Sequence, residues 1–480
     1  MTVEAVPPQE QEEEGVLGPR ERLEALCDPG TLHLIRTGIQ RDAERSTPGD
    51  GVLGGAGTVD GRQVFCYAQD VAFMGGSLGE AQADTIVRVL SMAGRAGAPV
   101  VAFVESAGAR MDEGTAALGG YGRIFLENVR LSKRVPQITV ITGTSAGGGS
   151  YSPALTDVII MTERASMFLT GPGVVREVMG EHVSKEELGG PRVHSANGVC
   201  QLVAADDAAA VGLARELLGY LPQRTAALAN GSAPRSQLEK SEPASGKDPS
   251  ACVPEEARKV YDVRDVIRCI ADGSRLLELS AGWARNMVTG FARIDGRPVG
   301  FVANQPRYLG GVIDSAASEK AARFVRHCDT YGIPLVVLVD TPGFLPGTKQ
   351  EEAGVIRHGA GLLRAFAAAT VPKITLVLRK GFGGGYITMN SKDLGADLVL
   401  AWSNAEIGVV GPSQAVTFIH REQIANADDP EAERERLATE YAARHSTAAV
   451  AARNGSIDEL VEPAETRDRL AWALATLERS

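Results

Sequence analysis

The 480-residue sequence has no C-x-x-C pair, no G-x-x-x-x-G-K-[ST] loop and no apolar run of the roughly 18 residues that span a membrane. Its six cysteines (Cys27, Cys66, Cys200, Cys252, Cys269, Cys328) are scattered, which excludes zinc ribbons and dithiol redox motifs and fits thiols in a reducing compartment. It lacks a basic stripe, and its net charge is −11, so general nucleic-acid binding is excluded. An anionic ligand would have to be held by backbone amides and a few basic side chains. The opening stretch MTVEAVPPQEQEEEG is acidic and polar, unlike a signal or transit peptide, and residues 1–20 are expected to be disordered. From these absences a cytoplasmic protein without a membrane partner is expected.

What is present is a globular composition. Apolar residues make up 44% and charged residues 23%, and the length calls for two or more domains. The 55 glycines cluster after apolar runs, which suggests tight strand-to-helix turns. Residues 229–258, rich in Ser, Pro, Lys and Glu and without apolar periodicity, read as a linker. That divides the chain into an acidic tail (1–20), an N-terminal domain (21–228) and a C-terminal domain (259–480).

The two flanks repeat each other. GAPVVAFVESAGARMDEG matches GIPLVVLVDTPGFLPGTKQ. Each has a proline (Pro99, Pro334), an apolar strand, an acid (Glu105, Asp340) and a glycine turn (Gly108, Gly343). VPQITVITGTSAGGGSY matches VPKITLVLRKGFGGGY, and Gly75-Gly76 matches Gly310-Gly311. All three landmarks recur at an offset of about 235 residues, which indicates two copies of one α/β unit. Within the unit, LGEAQADTIVRVLSMAGRAG spaces its apolar residues three and four apart, as a helix packed on a sheet does.

The repeat bears on an ambiguity in residues 141–157. Gly143-Thr144-Ser145-Ala146-Gly147 fits the elbow that exposes a serine nucleophile. The run Gly147-Gly148-Gly149 fits instead a set of amides that hold a negative oxygen. Ser145 corresponds to Gly381, so the serine is not shared, whereas Gly383-Gly384-Gly385 repeats the glycine run. None of the seven histidines sits in a recognisable partner motif. Two amide-lined turns, one per half, fit two carbonyl groups held in two half-sites. The bland alternative is that the glycines only allow helices to pack closely on a sheet.

These motifs, with FMGGSLGE, GARMDEG, YSPALTD, MFLTGPGVV, EELGGPRVHSANGV, SEKAARFVRHCD, DTPGFLPGTKQE, IRHGAGLLRAF and AEIGVVGP, resemble the carboxyltransferase (β) subunit of biotin-dependent acyl-CoA carboxylases, most closely the propionyl-CoA carboxylase type. The likeness runs from near Arg20 to near Leu470. It implies an α/β fold of two tandem crotonase-like domains built from ββα superhelix units, and a homohexamer. It implies active sites at dimer interfaces, where the N-terminal half of one subunit faces the C-terminal half of another. Gly148 and Gly149 would hold the enolate of an acyl-CoA thioester, with Ala146, Gly147, Tyr151, Gly108, Ala109 and Arg110 on the substrate side. Gly384 and Gly385 would hold the biotin carbonyl, with Gly383, Phe344 and Tyr386 on the biotin side. Carboxybiotin would release CO₂, biotin would take the α-proton, and the enolate would attack CO₂.

The chain has no Met-Lys-Met biotinylation motif, so biotin would arrive on a partner biotin carboxylase/carrier (α) subunit. No metal is implied. Arg110 and Lys133-Arg134 are candidate partners for CoA phosphates, or else solvated surface charge. The family commonly has Pro-Cys at Thr144-Ser145 and alanine at Gly149 and Gly385. Ile387 stands where propionyl-type members often carry aspartate, a position tied to acyl-chain selectivity, so acetyl-, propionyl- or butyryl-type substrates are all expected. GVVGPSQAV and RHSTAAVAARNGSIDELV also depart from the family pattern. The rival readings are a decarboxylase or transcarboxylase subunit using the same site, a non-catalytic structural subunit, and a serine hydrolase.

Overall fold

The computed structural model describes residues 15–40, 48–223, 246–256 and 259–477. It divides into two compact units, one ending at Leu218 and the other starting at Gly219 and including Ser195–Gly198. The boundary falls within the last turn of the helix Asp207–Tyr220, upstream of the linker expected at 229–258. Residues 229–245 and 257–258 of that linker lie outside the described residues. Pro249–Cys252 within it forms a 3₁₀ turn, capped by the Asp248 carboxylate accepting from the Ser250 N–H at 2.8 Å. Of the tail expected to be disordered, residues 1–14 lie outside the described residues, but Pro19 already opens a helix that runs to Leu26. Proline suits that first position, and Leu23 and Leu26 give the helix an apolar face to bury.

The first unit holds β1 (His33–Ile35), β2 (Val52–Val59), β3 (Arg62–Gln69), β4 (Val100–Ser106), β5 (Gln137–Ala146), β6 (Val158–Thr162), β7 (Ser166–Phe168) and β8 (Leu202–Ala204). They form one sheet in the order β1-β2-β3-β4-β5-β6-β8, with β7 pairing the far end of β5. The hairpin β2–β3 is antiparallel, and β3, β4, β5, β6 and β8 run parallel. Every residue of β4 is buried, as expected for a central parallel strand covered on both faces.

The second unit repeats this plan. Its strands are β9 (Leu277–Leu279), β10 (Met287–Ile294), β11 (Arg297–Asn304), β12 (Leu335–Thr341), β13 (Lys373–Phe382), β14 (Leu398–Trp402), β15 (Glu406–Gly408) and β16 (Glu459–Val461). The order is β16-β14-β13-β12-β11-β10-β9, with β15 pairing the far end of β13. β12 is again wholly buried.

The helix foreseen from apolar spacing spans Glu80–Ala96. It buries Ala83, Ile86, Val89, Leu90 and Ala93 and stops at Gly97, whose φ of 64° ends the helix in the left-handed region. Its counterpart, Ser315–Tyr331, is capped by Asp314, which accepts from the Ala317 N–H at 2.8 Å.

One irregularity is duplicated. β5 advances from Ile141 to Ser145 while its neighbour β4 advances only from Val104 to Ser106. β13 advances from Val377 to Gly381 while β12 advances only from Val339 to Thr341. Each longer strand carries a bulge just before its glycine turn. The registers set Ser145 and Gly381 at equivalent places.

Candidate functional site

β5 ends at Ala146, Gly147 turns the chain, and a short helix runs from Gly148 to Ala154. In the second unit β13 ends at Phe382, and a short helix runs from Gly383 to Thr388. The turn needs a residue in the left-handed region. Gly147 has φ 58° and Gly383 φ 57°, which glycine adopts without Cβ strain. The first N–H groups of each helix have no acceptor within it, so they form a small field of donors.

The surroundings of the two turns differ. On the first, the Tyr121 ring lies beside Gly148, and a Cβ there would come within 2.8 Å of it. The Tyr121 hydroxyl is 3.5 Å from Ser106 Oγ. Burial raises the pKa of this phenol, while Ser106 and the Gly149 amide, which faces the phenol oxygen, oppose the rise. Tyr121, Phe125 and Tyr151 continue as a line of rings with centroids 5.8 and 6.2 Å apart. Tyr151 remains 53% exposed. On the second turn the neighbouring ring is Phe344, from the loop after β12, and a Cβ on the exposed Gly384 would meet nothing nearer than this ring at 3.8 Å.

The two turns are also framed alike. Ser106 Oγ accepts from the Gly108 N–H, and Thr341 Oγ1 from the Gly343 N–H, both at 3.2 Å. Ala109 pairs with Leu78, and Phe344 with Ile313, as isolated parallel bridges. Gly108, Ala109, Ala146 and Gly147 thus gather around the first turn, and Phe344 and Gly383 around the second.

The other candidate residues have their own surroundings. Arg110 is buried, with Nη1 3.1 Å from Asp50 and 2.7 Å from Glu113, and Nη2 3.1 Å from the Ser77 carbonyl oxygen. Two carboxylates already offset its charge within the first unit. Lys133 and Arg134 are exposed. Tyr386 turns its hydroxyl to the Ser456 carbonyl oxygen at 3.2 Å, and burial pushes its pKa up to about 12. Ser145 Oγ is buried without a hydrogen-bond partner, so it is not presented as a nucleophile. Ile387 is 49% exposed on the second short helix.

Sequence reasoning missed Tyr121. The only signal was an aromatic pair in the helix pattern GGYGRIF, which reads equally as core. Among the described residues no group of three or more His, Cys, Asp or Glu could hold a metal, and no helix is long and apolar enough to cross a membrane.

Comparison with known proteins gives the family. The carboxyl transferase domain family matches residues 10–480. The methylmalonyl-CoA carboxyltransferase 12S subunit of Propionibacterium freudenreichii subsp. shermanii is 47% identical over 97% of this chain and 89% of its own length. The beta5 subunit of the biotin-dependent acetyl-/propionyl-coenzyme A carboxylase of Mycobacterium tuberculosis is 45% identical over 97% of this chain and 87% of its own. The crystal structure of the transcarboxylase 12S hexamer, with methylmalonyl-coenzyme A and methylmalonic acid bound, superposes with a TM-score of 0.91 at 46% identity, covering 98% of this chain and 90% of that one. The chain belongs to the carboxyl transferase family, and its α/β fold is that family's pair of tandem crotonase-like units.

Proposed function

We propose that this chain is the carboxyltransferase subunit of a biotin-dependent acyl-CoA carboxylase, which places a carboxyl group on the α-carbon of a short or medium acyl-CoA. The observation that carries the reading is the pair of equivalent glycine turns, each opening a short helix. Fixed amides aimed at a developing oxyanion lower a barrier by roughly 3 to 4 kcal/mol per donor in favourable cases. The Gly148 and Gly149 amides hold the thioester oxygen as it becomes an enolate. The Gly384 and Gly385 amides hold the biotin carbonyl oxygen. Bound biotin supplies the carboxyl group, carried on a ring nitrogen. No side-chain nucleophile of this chain takes part.

The carrier of biotin is a separate α-type subunit, and the working assembly is a homohexamer in the cytoplasm. Each active site joins the N-terminal half of one subunit to the C-terminal half of another. The likeness to a transcarboxylase subunit supports a second reading, in which the same site passes a carboxyl group between two acyl compounds. The test is an assay with the cognate biotinylated partner, ATP and bicarbonate over acyl-CoA chain lengths. Carboxylated acyl-CoA is the expected product. Transfer only from a carboxylated donor, with no ATP-driven product, would favour the second reading.

A further inference from the structure

Glu105 and Asp340 have no part in the chemistry above, yet the repeat keeps an acid at this place in both halves. Each acid lies on the shorter strand between the two registers of the bulge. Each is buried, Asp340 completely.

The carboxylates contact the residues that the bulge adds. Glu105 Oε2 lies 3.5 Å from Thr142 Oγ1, and a Cβ on Gly143 would stand 2.0 Å from Oε1, so the carboxylate packs on the bulged backbone of β5. Asp340 Oδ2 accepts from Arg379 Nε at 3.1 Å, and Oδ1 is 4.0 Å from Lys380 Nζ; both cations belong to the bulge of β13. The next residue in each half is the hydroxyl that accepts from the adjacent glycine loop.

The partners beyond the bulge are unrelated. Glu105 draws Arg22 from the N-terminal helix at 3.3 Å, and Arg22 also bonds Asp207 at 2.9 Å. Asp340 accepts from the Tyr261 hydroxyl at 2.9 Å. A duplication that keeps the acid while its cation comes from different elements points to the acid's position as the retained feature. Bulges beside active sites re-aim the chain that follows, and here that chain is the glycine turn.

We propose that Glu105 and Asp340 are positioning residues, each clamping the bulge of the next strand so that the amides beyond it keep their direction, Glu105 for the acyl-CoA turn and Asp340 for the biotin turn. The inference rests on the carboxyltransferase reading. A purely structural role would weaken both half-sites alike, whereas positioning affects one half-site per acid.

The test uses the full-length protein with methylmalonyl-CoA as carboxyl donor and free biotin as acceptor, and measures KM for each and kcat. Asp340→Asn should raise the biotin KM about tenfold while the methylmalonyl-CoA KM stays within about twofold, and Glu105→Gln should show the mirror pattern. Tyr261→Phe and Thr142→Val remove one neighbour of each acid and should give smaller changes in the same direction, so they carry the test if the acid variants do not fold. Folded variants whose two KM values move together, or not at all, would overturn the proposal. A folded wild-type protein that transfers nothing would overturn the carboxyltransferase reading itself.

Discussion

Tyr121 fills the space beside Gly148 so closely that a Cβ there would lie 2.8 Å from its ring. Gly148→Ala must therefore move a buried tyrosine whose hydroxyl reaches Ser106 and faces the Gly149 amide. Such overpacking costs about 1–3 kcal/mol. We expect denaturant unfolding to show that loss and transfer to fall at least about tenfold, because relieving the clash shifts the turn that carries the amides.

Ser145 makes the opposite prediction. Its hydroxyl is buried and unpartnered. Ser145→Ala should leave carboxyl transfer unchanged and raise stability slightly, since a buried unsatisfied hydroxyl costs about 1–3 kcal/mol. Loss of transfer, or ester hydrolysis that disappears with the serine, would restore the nucleophile reading.

Ile387 is half-exposed on the short helix that opens with Gly383-Gly384. An apolar side chain there should tolerate several acyl lengths. Ile387→Asp is expected to shift the ratio of kcat/KM values toward propionyl-CoA, as read by competing acyl-CoA substrates. An unchanged ratio would remove this residue from selectivity.

Asp28 gives a pH signature. Its carboxylate accepts from the Gly61 N–H at 2.9 Å, the Thr58 hydroxyl at 2.7 Å, the Asp60 N–H at 3.0 Å and Arg215 at 3.1 Å. These bonds, that from Gly61 foremost, hold its pKa well below the ordinary carboxylate range. A depressed folded pKa adds stability above the unfolded value of about 3.9 and loses it as pH falls toward the folded value. Urea midpoints of Asp28→Asn should lie below wild type at neutral pH, and the gap should narrow as pH falls below about 4. A constant gap would deny the linkage.

How much could be read in advance depended on whether the information was local. The duplicated strands, the turns at Gly147 and Gly383 and the helix Glu80–Ala96 follow from apolar spacing and glycine placement, and all were legible. The acids Glu105 and Asp340 were legible as strand ends, but their roles at the bulges were not. Arg22 lies far along the chain from Glu105, and a bulge is a mismatch between two strands that neither strand shows alone. The ion pairs of Arg110 were not legible, because its partner Asp50 comes from a distant turn. Tyr121 escaped notice because only the docking of its helix brings the phenol under Gly149.

The central claim is that main-chain N–H groups, not side chains, carry the transfer. Gly384 allows the cleanest test, because its added Cβ would meet only Phe344 at 3.8 Å, an ordinary contact. Gly384→Ala keeps the N–H, while Gly384→Pro removes it at an early helix position where proline is tolerated. The decisive measurement is kcat for carboxyl transfer between methylmalonyl-CoA and biotin in these two variants. The account predicts near wild-type transfer with alanine and a loss of at least about a hundredfold with proline. Equal rates in the two folded variants would contradict it.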